Sequence, residues 1–323
     1  MTVDEAHMRR AMAVAAAVRT TTPPNPWVGS VVEPGGFQGA TSPPGGPHAE
    51  VVALKAAGDA ARGATMYVTL EPCSHTGRTP PCVEWIVDAG IARVVVGIED
   101  PDERVRGAGI RALRAAGVTV DVGVCAEEVG AQLAPYLKHR TTGRPWVVLK
   151  LAATLDGRTA APDGSSKWIT GAEARADAHR LRAESDAVIV GAGTVRADDP
   201  SLTVRHVEGR EPLRVVLGKA PEGAKVHPAL ELTGELDDVL EELGRRGVLQ
   251  ALVEGGATVA GEFHRAGLVD RYVLYLAPAL FGGDDARPLF TGPGAPTIAD
   301  VWRGRIVSVQ RLGDDLRVEC SPA

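Results

Sequence analysis

The sequence predicts two α/β domains in series, and three observations carry that reading. The 323 residues match about two domains of roughly 100 to 200 residues each. From Thr65 to Glu128, short β-branched runs alternate with alanine-rich runs at helical spacing, the mark of a layered α/β arrangement. A small polar break at Thr141-Thr142-Gly143-Arg144-Pro145 separates two such series, dividing the chain into 1–143 and 144–323.

The first element is a helix. Asp4 and Glu5 open a stretch with apolar residues at helical spacing, and the acidic first turn argues against a signal peptide. HAEVVALKAAG reads as a second helix. TMYVTL, ARVVVGIED and VTVDVGV read as strands, with PCVEWIVDAG and GAGIRALRAAG as helices ended by glycine. AEEVGAQLAPYLKHR closes the first series as a helix. The second opens with the strand WVVLKLA, passes through the helix ARADAHRLRAES into the strand DAVIVGAG, and resumes at VLQALVEGG and DRYVLYLAP. Between Arg205 and Ala251 the pattern is loose and the stretch short.

Composition excludes several classes. Hydrophobic residues are 44% and charged residues 24%, ordinary for a globular protein. A net charge of −6 gives no diffuse positive field for duplex nucleic acid. Four cysteines, Cys73, Cys82, Cys125 and Cys320, are too sparse for a disulfide framework and read as thiols or metal ligands. No apolar run approaches the roughly 20 residues of a membrane span, so no membrane partner and a cytoplasmic address are expected.

Chemistry concentrates in Pro47-His48-Ala49-Glu50 and in the segment from Glu71 to Cys82. One histidine and two cysteines, His48, Cys73 and Cys82, are the ligand types of a catalytic zinc that keeps a fourth position for water. Zinc brings the pKa of that water toward about 7. Glu50, two residues after His48, is then the general acid and base that moves the water's proton to a departing amine. Hydrolytic deamination of an aminopyrimidine needs this pair, and nucleobase deaminases carry it as H-x-E followed by P-C-x-x-C. Here eight residues lie between the cysteines, and the insert SHTGRTPP places Arg78, Ser74 and Thr79 to grip a phosphate beside the metal. The competing reading is a closed structural zinc with His75 as fourth ligand. Gly107-Ala108-Gly109-Ile110-Arg111-Ala112 fits G-x-G-x-x-A but lacks the Rossmann context, and reads as a strand-to-helix turn near this first site.

Asn25-Pro26-Trp27-Val28-Gly29, PHAE and EPCSHTGRTPPC together resemble the bifunctional deaminase-reductases of riboflavin biosynthesis, over nearly the whole chain. The resemblance implies a cytidine-deaminase-like three-layer α/β domain followed by a dihydrofolate-reductase-like α/β domain. It implies zinc on His48, Cys73 and Cys82, Glu50 as proton shuttle, and Asn25, Arg78, Thr79 and Asp100 against the substrate, a phosphorylated ribosylaminopyrimidine. The chain departs from that pattern at Ala40-Thr41, where Gly-x-His is usual, and at Asp102, where asparagine is usual.

In the second half, Gly191-Ala192-Gly193-Thr194 and Glu254-Gly255-Gly256-Ala257-Thr258 each follow a strand with glycines that let backbone N–H groups approach a phosphate. Singly, each is more simply a tight turn; two suggest a dinucleotide. Their order with KLAATLDGRTA and SKWITG is similar to the reductase domain of the same family. That likeness implies NADPH against Ala152, Trp168, Thr194, Asp198, Gly256, Ala257, Thr258, Val259, Ala260, Gly261 and Glu262. It implies substrate against Ser166, Arg182, Leu202, Arg205 and Glu254, and Lys150 is assigned to polarise the opened sugar. A homo-oligomer is expected. The rival expectation is a deaminase alone, with the shortened second half serving only to oligomerise.

Overall fold

In the computed structural model, which describes residues 1–75, 80–103 and 105–323, the chain divides into two compact units, Met1–Gly143 and Arg144–Ala323.

The first unit contains, in chain order, α1 (Val3–Ala16), β1 (Gly29–Glu33), β2 (Phe37–Ala40), α2 (Ala49–Ala57), β3 (Thr65–Leu70), α3 (Cys82–Asp88), β4 (Arg93–Ile98), α4 (Ala108–Ala115), β5 (Thr119–Val122) and α5 (Ala126–Thr142). Thr2 and Glu5 cap α1 reciprocally, the Glu5 N–H donating to Thr2 Oγ1 at 3.2 Å and the Thr2 N–H to Glu5 Oε2 at 2.8 Å. The strands form one sheet in the order β2-β1-β3-β4-β5. β1 is antiparallel to both neighbours, whereas β3, β4 and β5 run parallel. Val68, Leu70, Val94, Val95 and Val96 are buried, as expected where helices cover both faces of parallel strands. β3 and β4 therefore deliver the segments that follow them to the same edge of the sheet.

α5 runs two residues into the polar break that the sequence suggests. Thr141 and Thr142 turn their hydroxyls back onto the Leu137 and Lys138 carbonyls at 2.9 and 2.8 Å, so their polarity is satisfied within the helix. Gly143, at φ 72°, ends it.

The second unit contains β6 (Trp146–Thr154), β7 (Arg158–Ala160), α6 (Ala172–Ala183), β8 (Ala187–Gly191), α7 (Ala192–Asp198), β9 (Leu213–Leu217), β10 (Leu230–Leu232), α8 (Leu236–Arg245), β11 (Gln250–Val253), α9 (Ala257–Arg265), β12 (Arg271–Ala277), β13 (Arg287–Pro288), β14 (Gly304–Leu312) and β15 (Asp315–Pro322). Its main sheet has the order β10-β9-β8-β11-β6-β12-β15-β14. The run from β10 to β12 is parallel, and β15 and β14 add an antiparallel edge. Val147, Leu149, Ile189, Ala251 and Val253 lie in one core with Val239, Leu240 and Leu243 of α8 and Phe263 of α9. The loosely patterned stretch after Arg205 thus holds two strands and a helix. Its two strands are separated by a Gly/Pro-rich stretch, 218–229, while Val239, Leu240 and Leu243 sit at helical spacing. No helix among the described residues is long and apolar enough to cross a membrane.

Candidate active sites

His48 is the N-cap residue of α2, in extended conformation, and Glu50 lies in the first turn. Cys73 follows β3, and Cys82 opens α3. The sheet brings these ends together: His48 Nδ1 lies 3.2 Å from Cys82 Sγ and 3.6 Å from Cys73 Sγ, and the three ligand atoms all fall within 4.8 Å of one another. Tetrahedral zinc, with bonds of about 2.0 Å to nitrogen and 2.3 Å to sulfur, sets its ligand atoms about 3.5 to 3.8 Å apart, so the group fits the metal. The Cys82 N–H donates to Cys73 Sγ at 3.4 Å, and the Val83 N–H to the Cys73 carbonyl at 3.2 Å, pinning the loop to the start of α3. His75 is no member of the group, which leaves three protein ligands among the described residues.

Electrostatics prepare these residues for a metal and a proton. The Cys82 thiol holds Cys73 below its ordinary range against the effect of burial, with His48 assisting, the direction that favours the thiolate a metal takes. Glu50 is 4% exposed. Burial, and then Cys73, push its carboxyl up from the ordinary value, the direction that suits a group working as both acid and base.

α2 lies directly on β2 because residue 39 is glycine. A Cβ there would stand 2.2 Å from the Ala49 carbonyl oxygen and 2.4 Å from the Ala53 nitrogen. The departure at position 41 has a local partner: the Thr41 hydroxyl accepts from the Val28 N–H at 3.1 Å, closing the strand ends on themselves. Asp102, at the other departure, donates its N–H to Asp100 Oδ1 at 2.9 Å and stands 4.0 Å from Arg140 Nε.

Asp100, expected against substrate, is buried just beyond β4. Burial pushes its carboxyl up, while the Asp102 N–H and the Tyr136 hydroxyl oppose that. Asn25 lies in the segment between α1 and β1, its N–H donating to the Thr22 carbonyl at 3.0 Å. Arg78 and Thr79 lie outside the described residues.

In the second unit, Arg182 of α6 grips Glu254, at the end of β11, with Nε on Oε1 at 2.5 Å and Nη2 on Oε2 at 2.9 Å. Lys150 of β6 stands 3.9 Å from Glu254 Oε2 and 5.7 Å from the Tyr275 ring centre. Burial pulls the Lys150 ammonium below its usual range, with Glu254 opposing and Arg182 assisting. Burial alone would raise Glu254, but Arg182 and Lys150 hold it below the ordinary carboxylate value. Arg205 is exposed, and its backbone N–H donates to His179 Nδ1 at 3.1 Å. Leu202 is buried in the core beside α6.

The two glycine turns meet at the ends of adjacent strands β8 and β11. Thr194 Oγ1 accepts the Gly256 N–H at 3.1 Å. A Cβ on Gly191 would stand 2.8 Å from Val259 Cγ2, and one on Gly255 2.6 Å from Val259 Cβ. Two helix starts therefore lie side by side with glycines at their closest approach, which fits a phosphate-bearing dinucleotide. Gly256, Thr258 and Glu262 are exposed and Ala257 half-buried, whereas Val259, Ala260 and Gly261 form the buried face of α9. Ala152 is half-buried on β6. Ser166 is half-buried before α6, and Trp168 is 71% exposed under the Arg175 guanidinium, 4.7 Å from its ring centre. Asp198 pairs with Lys167 at 3.8 Å.

Sequence reasoning named the ligands and passed over what holds them. Glu71, which no motif singles out, accepts four backbone N–H groups. Tyr136 and His179, which hold Asp100 and the Arg205 backbone, gave no signal, because each acts through a contact distant in sequence.

On these folds, a His–Cys–Cys group with a glutamate two residues after the histidine defines a zinc-dependent pyrimidine deaminase, and the second unit a reductase. The family described as cytidine and deoxycytidylate deaminase zinc-binding region matches residues 1–98, and the RibD C-terminal domain matches residues 145–318. The riboflavin biosynthesis protein RibD of Mycobacterium tuberculosis (strain ATCC 25618 / H37Rv) is 44% identical over 335 residues, covering 97% of this chain and 96% of its own. The structure of Acinetobacter baumannii RibD, form 1, superposes with a TM-score of 0.93 at 38% identity, covering 99% of both chains. A diaminohydroxyphosphoribosylaminopyrimidine deaminase/5-amino-6-(5-phosphoribosylamino)uracil reductase from Thermotoga maritima superposes at 0.87 and 34% identity, again over 99% of both. The chain belongs to the RibD family of riboflavin biosynthesis proteins, as a bifunctional deaminase and reductase with zinc and NADPH as cofactors. Both likenesses run through the second half, so the reading of a deaminase alone finds no support.

Proposed function

We propose that the first unit hydrolyses the 2-amino group of 2,5-diamino-6-ribosylamino-4(3H)-pyrimidinone 5′-phosphate, releasing ammonia, and that the second reduces the ribosyl chain of the product to ribityl, giving 5-amino-6-ribitylaminouracil 5′-phosphate. The observation that carries the first step is the closeness of His48, Cys73 and Cys82, with Glu50 buried in the same helix turn. Zinc bound there supplies a water of lowered pKa. Glu50 would move a proton from water to the departing amine. Asn25 and Asp100 hold the pyrimidine, and Arg78 and Thr79 its phosphate.

For the second step, NADPH supplies the hydride. The paired starts of α7 and α9, with Thr194 and the Gly256 to Glu262 segment, would hold the cofactor. Ala152, Trp168 and Asp198 complete the cofactor site. Arg182 and Arg205 clamp the substrate phosphate, Ser166, Leu202 and Glu254 line its sugar, and Lys150 polarises the opened carbonyl. The Thermotoga maritima relative, named for this deaminase and reductase pair, supports the choice of substrate.

The chain is further read as a cytoplasmic homo-oligomer. All four cysteines are free, which suits a reducing compartment. Ile306, Val307 and Val309 on the outer strand β14 are exposed, which suits burial by another copy. The test is zinc content and NADPH oxidation on one purified sample supplied with the deaminated ribosylamino-uracil phosphate. Oxidation with about one zinc per chain supports both halves, and zinc without oxidation sinks the second.

A further inference from the structure

Glu71 sits between the last residue of β3 and Pro72-Cys73, and it is 4% exposed. Its Oε2 accepts the backbone N–H of Asp100 at 3.2 Å and of Gly107 at 2.9 Å. Its Oε1 accepts those of Gly109 at 2.9 Å and Ile110 at 3.2 Å. A carboxylate offers about four acceptor positions, so this one is saturated by main chain. Its own N–H donates to the Ile98 carbonyl at 3.0 Å. A helix start needs only a local Ser, Thr, Asp or Asn for its free N–H groups. At α4 the cap residue is Gly107, with no side chain to offer, and the acceptor comes from the segment that carries Cys73.

Asp100 is held from its other side by Tyr136 of α5. That hydroxyl donates to the two carboxylate oxygens at 3.2 and 3.1 Å. The ring is buried, so the hydroxyl has no freedom to leave. The backbone of Asp100 is thus fixed by Glu71, and its side chain by Tyr136.

We propose that Glu71 and Tyr136 are positioning residues of the deaminase, holding Asp100 at one fixed spacing from the Cys73 segment at the shared edge of β3 and β4. This rests on the reading of Asp100 as a substrate contact. Glutamine at 71 would turn an NH₂ group toward two backbone donors, release one side of the clamp and let Asp100 drift. Phenylalanine at 136 would release the other side while keeping the ring in its place.

The experiment uses the full zinc-loaded chain and measures deaminase kcat and KM, zinc content, and reduction of predeaminated substrate for Glu71→Gln, Tyr136→Phe, Asp100→Asn and the two double variants with Asp100→Asn. Expected are a tenfold or larger loss in deaminase kcat/KM for Glu71→Gln and a smaller loss for Tyr136→Phe. Both should appear mainly in KM, with zinc near one per chain and reduction unchanged. Each double variant should fall no further than Asp100→Asn alone. Losses that multiply with that of Asp100→Asn, or a loss confined to kcat, would overturn the proposal, as would wild-type kinetics in both single variants. Wild-type KM in Asp100→Asn would remove the Asp100 contact and the proposal with it, whereas a wild-type chain that fails to deaminate would instead remove the assigned substrate. If Glu71→Gln does not accumulate folded, Tyr136→Phe and its double variant decide alone.

Discussion

Arg182 and Glu254 close a two-pronged ion pair within the reductase unit, with both nitrogen–oxygen distances below 3 Å and both side chains largely shielded from water. Lys150 approaches the same carboxylate, so three charges share one enclosed site. Such pairs gain little over an apolar core but are costly to break from one side, by about 3 to 5 kcal/mol. Glu254→Gln should therefore destabilise the second unit by an amount in that range and suppress NADPH oxidation. Deamination should be untouched. Unfolding monitored alongside the two activities checks this, and a stable, fully reducing variant would contradict it.

Glu50→Ala should retain about one zinc per chain, because its carboxylate is no ligand. Deamination should fall by a factor on the order of 10² to 10⁴ or more, the usual range of a lost general acid and base. Cys82→Ser should lose both metal and deamination. Full deaminase activity in either variant would defeat the mechanism, and reduction of predeaminated substrate should survive in both.

Gly109 faces the Pro72 carbonyl so closely that a Cβ would stand 1.9 Å from its oxygen. Gly109→Ala must push the Pro72-Cys73 segment away from α4, at about 1 to 3 kcal/mol. We expect a lower unfolding midpoint for the first unit and faster zinc loss to a chelator. Unchanged zinc retention would show that the segment yields without moving Cys73.

Thr194→Val keeps the shape of the side chain and deletes the acceptor of the Gly256 N–H. One such bond contributes about 0.5 to 1.5 kcal/mol. NADPH KM should accordingly rise about two- to tenfold, with little change in the KM for the uracil substrate. An equal rise in both would point to a general loosening instead.

His179 gives the second unit an acid limit. Its Nδ1 stands 3.1 Å from both the Arg205 nitrogen and the Thr203 carbonyl oxygen. Burial, together with Arg182, Arg205 and His206, holds its pKa down to about 4, from an ordinary 6.5. The unfolded chain binds the proton more readily across that window. The histidine's contribution is therefore complete above about pH 6.5 and is lost as pH falls toward 4. His179→Asn keeps an acceptor that cannot be protonated, so its stability should decline less over this window than that of the wild type. Equal declines would remove His179 as the cause.

The chemistry of the first site was legible in the sequence because its ligand types and spacing are constrained by the metal: His48, Glu50, Cys73 and Cys82 could be named with no knowledge of the fold. Long parallel strands and the helices between them were legible for a similar reason, since each carries its own period. β9 and β10 were not, because each stands among Gly, Pro and charged residues with no helical run directly before it. α5 ends later than its composition indicates because Thr141 and Thr142 satisfy their hydroxyls on their own helix. Glu71, Tyr136 and His179 escaped notice because their partners lie 29, 36 and 26 residues away, and only the folded sheet brings them into reach.

Each set of site residues described above is drawn wholly from one of the two compact units, Met1–Gly143 or Arg144–Ala323. Inheritance can therefore alter the residues of one site without altering those of the other. The standing pool of the intermediate then becomes a selectable quantity, set by the ratio of two rates encoded in separate stretches of one gene.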